Sequence, residues 1–181
     1  MAKRDGKTIL LGSGKLYLLA YSSSVPTLDA LCVDANLAGY IKGGASLEYT
    51  EETTEEKDDL GYVSKIITTN EEAKLKAGLL TWNGTMLTKL IDRSSSAEAS
   101  GKRTTKIGGK GNEKGGYYAV GFHHEDDTDG DVWVELIGRN TAGLTISFSN
   151  DEGSKIEPEF KAIPHDTDGT LIQFVEEIPT T

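Results

Sequence analysis

The sequence has little of several features that define common protein classes. One cysteine, Cys32, occurs in 181 residues, so the chain cannot form an internal disulfide, and a structural zinc site built on thiolates is disfavoured. No apolar run reaches the roughly 18–20 residues that cross a bilayer, and the short apolar stretch near the start predicts no signal peptide. We therefore expect a hydrophobic core, a reducing compartment and no membrane partner.

Basic residues are also scarce. Nineteen lysines and arginines face 29 aspartates and glutamates, which gives a formal net charge of −10. Proteins that grip duplex DNA are normally basic or carry a basic face. The overall charge therefore argues against tight binding of nucleic acid or of anionic membrane surfaces.

Glycine and β-branched residues are plentiful instead. The chain has 21 glycines, and turn-forming clusters recur about every ten residues, which is typical of antiparallel sheets. We predict a mainly β fold of two packed antiparallel β-sheets, sandwich-like or barrel-like, in one domain spanning 1–181 with long loops and a flexible N-terminal arm, 1–14. The predicted strands are 15–21, 39–50, 62–69, 72–82, 102–107, 116–124, 131–138, 142–149, 155–163 and 170–176.

Two segments stand out within this pattern. Alternation of alanine and leucine with Lys74 and Lys76 indicates a two-faced strand at 72–82. The stripe Met86, Leu87, Leu90 and Ile91 predicts one short α-helix, capped by Asn83 or Thr85. The serine-rich stretch that follows, 92–101, is predicted to be a loop.

The most acidic segment is 48–61, which has almost no core-forming side chain before Leu60. Repulsion between like charges predicts a long mobile loop that becomes ordered on assembly. Its acidic side chains are Glu48, Glu51, Glu52, Glu55, Glu56, Asp58 and Asp59.

A basic segment lies at 101–115, with a local charge of +4. Beside Tyr117 and Tyr118 it has the composition of a nucleic-acid patch, but a solvated loop or a protein interface suits the acidic chain better. On an acidic protein such a segment also suggests self-association. Its basic side chains are Lys102, Arg103, Lys106, Lys110 and Lys114.

Motifs for catalysis, metals or cofactors are weak. Residues 123–131 hold two histidines and five acids, but neighbouring strand residues point to opposite faces and the spacing fails the EF-hand pattern. Residues 12–15 match only part of a phosphate-binding loop. Cys32 has no partner motif, and His165 is predicted to be a surface histidine. We expect a hairpin turn at 123–131, no metal, no cofactor and no enzyme activity.

The order of several landmarks resembles bacteriophage major tail proteins, the subunits of tail tubes, above all those of phages and prophages of Gram-positive bacteria. The similarity extends over about residues 14–175. It is carried by these stretches: 14–17 (GKLY), 37–49 (LAGYIKGGASLEY), 75–83 (LKAGLLTWN), 159–163 (EFKAI) and 168–172 (DGTLI).

The resemblance implies two packed sheets with a flanking helix, and hexameric rings whose inner strands join into one continuous β-barrel. Rings stack into a hollow tube, and the loop after the second strand, here 48–61, reaches the neighbouring ring. DNA passes through the lumen without specific binding. The implied location is the virion tail, assembled in the host cytoplasm. The implied partners are copies of the same chain, a tape measure protein, a tail terminator, baseplate or tail-tip proteins and, in a contractile tail, a sheath.

Three alternatives stay open. The chain suits the inner tube of a contractile tail or phage-tail-like bacteriocin equally well. A receptor-binding or carbohydrate-binding β-sandwich is suggested by Trp133, interpreted as an exposed aromatic residue. An enzyme would have to be built on the cluster at 123–131.

Overall fold

The computed structural model describes residue 10 and residues 12–178. Two short α-helices, α1 and α2, interrupt nine strands, β1 to β9. The strands are β1 (Lys15–Ala20), β2 (Leu37–Lys57), β3 (Ser64–Leu79), β4 (Ser94–Ala99), β5 (Lys102–Ile107), β6 (Tyr118–His124), β7 (Val132–Asn140), β8 (Glu159–Ala162) and β9 (Gln173–Glu176); the helices are α1 (Leu28–Leu31) and α2 (Gly84–Leu90).

The strands form two antiparallel sheets of unequal size. The larger sheet has the order β6-β1-β2-β3-β8-β7-β9, and β4 and β5 form the second sheet alone. Because β6 also pairs with β7, six strands of the larger sheet close into a ring of pairings, and β9 extends β7 beyond β8. The predicted mainly β fold with two antiparallel sheets is confirmed.

Side chains alternate between two hydrophobic clusters on the two faces of the closed sheet. Leu16 and Leu18 of β1 lie in the larger cluster with Phe160, whereas Tyr17 between them lies in the smaller cluster under α1. Both faces of β1, β6 and β7 are therefore largely buried, which explains their nearly continuous apolar sequence. Helix α2 adds Met86, Leu87 and Leu90 to the larger cluster.

Helix α2 has the predicted position and cap. The Asn83 side chain accepts a hydrogen bond from the Met86 backbone N–H at 3.0 Å, which satisfies one of the free donors of the first turn. Helix α1 was not predicted; it is capped by Thr27, whose hydroxyl accepts a hydrogen bond from the Ala30 N–H. Within the described part of the chain, neither helix is long and apolar enough to span a membrane.

Several boundaries differ from the sequence prediction. The predicted strands 62–69 and 72–82 are largely parts of one long strand, β3 (Ser64–Leu79), and the predicted loop 92–101 contains β4. The segment 142–149, predicted to be a strand, forms no strand pairing. Alternation of residue types cannot reveal whether a segment has a hydrogen-bonding neighbour, and that neighbour decides these cases.

The predicted arm, 1–14, lies largely outside the described residues. Of its described residues, Ser13 and Gly14 lie against β6. The carbonyl of Ser13 lies 2.6 Å from His124 Nδ1. A Cβ atom on Gly14 would approach the His123 carbonyl oxygen to 2.4 Å, so this glycine permits the chain to pass close along β6.

A bulge in β2 redirects the chain beyond the body. The register between β2 and β3 shifts between Ile41 and Ala45, and Gly43 and Gly44 in between have φ of 89° and 84°. Positive φ is strained for residues other than glycine, so this pair permits the bend. The bulge separates the part of β2 beside β1 from the part that continues outwards.

Candidate assembly surfaces

The acidic segment, 48–61, forms the outer part of one strand and the start of the turn in a β-hairpin, and not the predicted loop. Residues 50–72, here called the hairpin arm, comprise the outer halves of β2 and β3 and the turn between them. At about 3.3 Å per residue, the arm extends about 25 Å beyond the body. Strand β3 supplies backbone hydrogen bonds and cross-strand side-chain partners, which offset the repulsion between the acidic side chains of β2. A count of charges along the sequence does not include these contacts.

Pairing with β3 gives several of the predicted loop acids a defined neighbour. Glu48 faces Lys74 and Glu56 faces Lys65. Glu52 lies opposite Asn70, and Glu55 forms an ion pair with Lys57 at 3.0 Å.

The turn of the arm is organised by one of the predicted acids. Asp58 accepts hydrogen bonds from the Val63 N–H at 2.7 Å and the Leu60 N–H at 3.3 Å. Its neighbour Asp59 is exposed. The turn is therefore held by local hydrogen bonds, as is typical of aspartate at such positions.

Glu51 is the acid with an unfavourable neighbour. It lies directly opposite Glu71, and like charges in that position destabilise a strand pair. The Tyr49 hydroxyl donates to Glu51 at 2.8 Å, and this hydrogen bond raises the pKa of Tyr49 to about 12. Glu51 and Glu71 thus form a like-charged pair near the base of the arm, and neither forms an ion pair with a described cation.

The arm also exposes apolar side chains that the sequence analysis missed. Leu60 is 77% exposed and Tyr62 is 84% exposed, and Val63, Ile66 and Ile67 accompany them on the turn and the outer part of β3. An apolar group this exposed normally marks an interaction site. The signal was present as two short apolar runs directly beside the acidic segment.

Both outer edges of the arm lack a strand neighbour among the described residues. Strand β1 pairs with β2 only as far as Tyr40, and β8 pairs with β3 only from Lys74 onwards. Unpaired strand edges expose rows of N–H and C=O groups that can pair with another chain. The arm therefore combines free backbone edges, negative charge and an apolar tip.

A ladder of ion pairs covers the outer face of β3. Lys74 and Lys76 project from the strand opposite to its buried alanines and leucines, as predicted. Glu72 contacts both Lys161 and Lys74, which together lower the pKa of Glu72 to about 2. Glu159 reaches Lys76 at 3.2 Å. These contacts join β3 to β8 across the surface, and exposed pairs of this kind contribute little stability individually.

The predicted basic residues fall on the β4–β5 sheet and the turn after it. Lys102 and Lys106 project from one face of β5, and neither forms an ion pair with a described residue; the same holds for Lys110. Arg103 lies on the other face and pairs with Glu98, its cross-strand neighbour. Lys114 donates to the Thr88 carbonyl at 2.7 Å.

The aromatic residues beside the basic segment do not join it as a nucleic-acid patch would require. Tyr117 packs against the smaller hydrophobic cluster and Tyr118 against the larger one. Base stacking needs exposed aromatic faces beside the basic groups. The β4–β5 sheet is therefore a basic surface without stacking platforms.

The cluster at 123–131 forms the turn between β6 and β7, as predicted. His123 bonds to Asp131 at 2.8 Å and stacks on Trp133, whereas His124 points to the opposite face towards Ser13. Burial acts to raise the pKa of Asp131, but the Asp126 backbone N–H and the His123 ring outweigh it, and the pKa is lowered. Within residues 10 and 12–178, no group of three or more metal-ligating side chains is suitably placed for an ion.

Trp133 is half-buried against His123 and is not the exposed aromatic residue that a carbohydrate site would need. Residues 12–15 do not form a phosphate-binding loop, since Lys15 lies in β1 and reaches Glu125 at 2.5 Å. Trp133 and residues 12–15, the two sequence features considered for binding a small ligand, therefore take part in structural contacts.

Cys32 and Glu135 are the most strongly perturbed groups inside the body. Burial, followed by the charges of Glu135 and Asp29, raises the pKa of the Cys32 thiol to about 11, which makes it a poor nucleophile. Burial raises the pKa of Glu135 to about 7, and its Oε1 atom makes no hydrogen bond to a described residue. The sequence did not reveal Glu135, because its position between Val134 and Leu136 suggested a solvent-facing residue.

His165, the remaining catalytic candidate, is half-buried in the segment between β8 and β9. Neither of its ring nitrogens hydrogen-bonds to a described residue. A general base needs a defined partner that orients it towards a substrate. Its surroundings offer no such partner within the described chain.

Comparison with known proteins adds no family to these observations. No protein-family model and no curated protein matches the chain.

Proposed function

We propose that this chain is a structural subunit of a phage tail tube, which assembles with copies of itself into stacked hexameric rings around a lumen. The observation that carries the proposal is the hairpin arm. It extends from the body, its edges have no strand neighbour among the described residues, and Leu60 and Tyr62 at its turn are largely exposed. An isolated two-stranded hairpin is marginally stable in water, so the arm gains most from packing against another subunit.

Charge supports contacts between copies. The arm carries Glu51, Glu52, Glu55 and Glu56 on β2, and the β4–β5 sheet of the same chain carries the unpaired Lys102 and Lys106. Surfaces of opposite sign on one subunit attract the complementary surfaces of its neighbours. Because the two patches differ, the contact is heterologous, and such contacts generate rings or filaments.

The net charge of −10 suits a conduit for DNA. An acidic protein repels the phosphate backbone and does not hold it in place. In this proposal DNA passes through the lumen without specific binding, and no catalytic step, cofactor or metal takes part. The tube would contact a tape measure protein, a tail terminator and baseplate or tail-tip proteins in the virion, and a sheath if the tail is contractile.

Negative-stain electron microscopy of the concentrated protein tests the proposal. We expect rings with a central hole and hollow tubes built from them. Analytical ultracentrifugation over the same concentrations measures whether the particles come from a reversible monomer. A chain that stays monomeric at every concentration, or that forms only solid or irregular aggregates, would rule the tail tube out.

A further inference from the structure

One segment of the body has the side-chain pattern of a strand but no strand partner. Residues 144–149 alternate apolar and hydroxyl side chains. Leu144 and Ile146 are half-buried against the larger hydrophobic cluster, whereas Thr145 and Ser147 are exposed. Burial of every second residue is the signature of an extended strand with one face on a core. Phe148 continues the apolar row and is 87% exposed.

Most of the hydrogen-bonding groups in the backbone of this segment have no partner among the described residues. No N–H group of residues 144–149 donates a hydrogen bond to a described residue, although the Ser147 carbonyl accepts one from the Ser154 hydroxyl at 2.6 Å. The segment also borders an open groove of about 630 Å³, whose lining includes Thr145, Ser147, Ser149 and Lys155. A strand-like segment with free donors beside an open groove can accept another strand.

The same chain offers a strand edge with the matching pattern. Beyond the glycine bulge, no strand in the described part of the chain pairs with the outer edge of β2, and its apolar residues also recur at every second position. Leu47 is 40% exposed and Tyr49 is 48% exposed although both lie on the side of the buried Leu75. Their exposure arises because no strand lies beyond them.

We propose that residues 144–148 of one copy pair as a strand with residues 45–49 of β2 in a neighbouring copy. The apolar row at 144, 146 and 148 then lies beside Leu47 and Tyr49. Each row covers apolar side chains of the other that are exposed in an isolated subunit. The inference rests on the proposed function, because it names the strands that join neighbouring subunits within a ring.

The geometry of this contact agrees with closed assembly. The two strands lie on different parts of the subunit, so each copy donates residues 144–148 to one neighbour and offers β2 to another. A contact of this heterologous kind closes into a ring when its rotation returns to the first subunit. It also satisfies backbone groups on both strands, as pairing across a sheet edge requires.

Cross-linking between differently labelled copies tests the pairing. In a Cys32→Ser background, one preparation carries Thr145→Cys and the other carries Ser46→Cys or Glu48→Cys. These positions lie on the strand faces opposite to the apolar rows, so they meet on one side of the proposed sheet. A disulfide requires Cα atoms within about 7 Å. We expect at least one mixture to form a disulfide-linked dimer on mild oxidation.

A matched control uses Ser96→Cys on β4 as the second cysteine, an exposed strand position on the other sheet. We expect the Thr145–β2 dimer to exceed this control about tenfold, because only facing cysteines meet the distance limit. Equal yields from the β2 and β4 cysteines would overturn the pairing.

A second variant tests the backbone contribution. The double variant Thr145→Pro, Ser147→Pro introduces two prolines, which central strands exclude because proline has no backbone N–H group. The N–H groups that these substitutions remove donate no hydrogen bond to a described residue of the subunit. Glu152→Pro in the adjoining turn is the control. We expect the double variant to fold normally by circular dichroism, yet to need about tenfold more protein to assemble, since buried carbonyls lose their donors. Assembly at the concentration of the control would contradict the inference.

The outcomes separate this inference from the tail tube itself. Rings that form without any specific cross-link leave the tube standing and remove the strand pairing. A specific cross-link in a protein that forms no rings supports the pairing and removes the tube. Both results come from the same oxidised samples, examined by electrophoresis and by electron microscopy.

Discussion

Strands β2 and β3 contribute to both the closed sheet and the hairpin arm, but β3 is largely buried in the sheet whereas both strands are exposed in the arm. In the body, β3 buries Ala73, Leu75, Ala77 and Leu79 against the larger cluster. In the arm, every residue from 50 to 71 of β2, the turn and β3 is exposed. One strand pair is thus a core element at one end and a solvated projection at the other.

This difference teaches where the stability of the subunit resides. Burial of apolar surface contributes about 25 cal/mol per Å², and the arm buries almost none against its own chain. Its strands are held by ladder hydrogen bonds, which contribute about 1 kcal/mol or less each after exchange with water. The body therefore stabilises the subunit, and the arm is free to serve contacts outside it.

The largest expected effect separates the two regions directly. Phe160→Ala in the fully buried centre of the body should lower the free energy of unfolding by about 3–5 kcal/mol, because it leaves a cavity. Ile66→Ala on the arm, where the side chain is 64% exposed, should change it by no more than about 0.5 kcal/mol. Urea titration followed by circular dichroism measures both. Similar losses from the two variants would mean that the arm is part of the cooperative core.

A pH titration isolates the effect of a charge that is buried in the body. Burial raises the pKa of Glu135 from 4.5 to about 7, so folding disfavours its charged form. The penalty is absent below about pH 4.5, grows as the pH rises towards 7 and is constant above that. Between about pH 5 and pH 8 the wild type should lose about 2 kcal/mol of stability relative to Glu135→Gln.

The matched control for that titration is Ile66→Ala on the arm, which removes no titratable group and should retain the pH dependence of the wild type. Thermal unfolding at a series of pH values provides the readout. If Glu135→Gln retains the full pH dependence of the wild type, the buried carboxyl is not its source.

The charge complementarity between copies predicts a smaller effect. Lys102→Glu with Lys106→Glu reverses the charge of the exposed face of β5 and should weaken assembly by about tenfold, or about 1.4 kcal/mol, a magnitude typical of electrostatic complementarity at an interface rim. The stability of the free subunit should stay within about 0.5 kcal/mol. Light scattering at about 0.05 M and about 0.5 M NaCl should show weaker wild-type assembly at high salt. A variant that assembles like the wild type at low salt would exclude this surface from the contact.

The smallest expected effect concerns the like-charged pair at the base of the arm. Glu71→Lys places a cation opposite Glu51 and should stabilise the arm by a few tenths of a kcal/mol. Hydrogen exchange of the arm amides is the suitable measurement, because it reports local opening. Faster exchange in the variant would show that the acidic pair has a favourable role in the free subunit.

The sequence was most informative where one face of a segment meets a core. The alternation around Lys74 and Lys76 and the stripe of α2 both predicted the observed elements, because burial imposes a period that residue types reveal. The mainly β class followed from the same signal. The sizes of the two sheets could not be predicted from this signal, because closure of the larger sheet through β6 depends on pairing between strands that are distant in the sequence.

The sequence was least informative where a neighbour decides the structure. The acidic residues at 48–61 indicated a loop, yet β3 supplies the partner that turns them into a strand. The residues at 142–149 indicated a strand, yet the subunit supplies no partner. The arm tip and Glu135 were missed for related reasons, since exposure and burial at these positions follow from tertiary packing. The two wrong predictions of secondary structure, at 48–61 and 142–149, both concern segments that we assign to contacts between subunits.

Replacement of the arm most directly tests the central claim that the arm serves assembly and contributes little to the stability of the subunit. Residues 51–71 are exchanged for an Asn-Gly turn, which suits a two-residue hairpin between Thr50 and Glu72, already paired across the strands. Removing both halves of the arm avoids the unpaired strand that deletion within β2 alone would leave. Thermal unfolding and sedimentation velocity are measured on the shortened and the intact chain. The account predicts a shortened chain that unfolds like the intact one but stays monomeric at concentrations where the intact chain forms rings and tubes. Tubes of normal length from the shortened chain would contradict it.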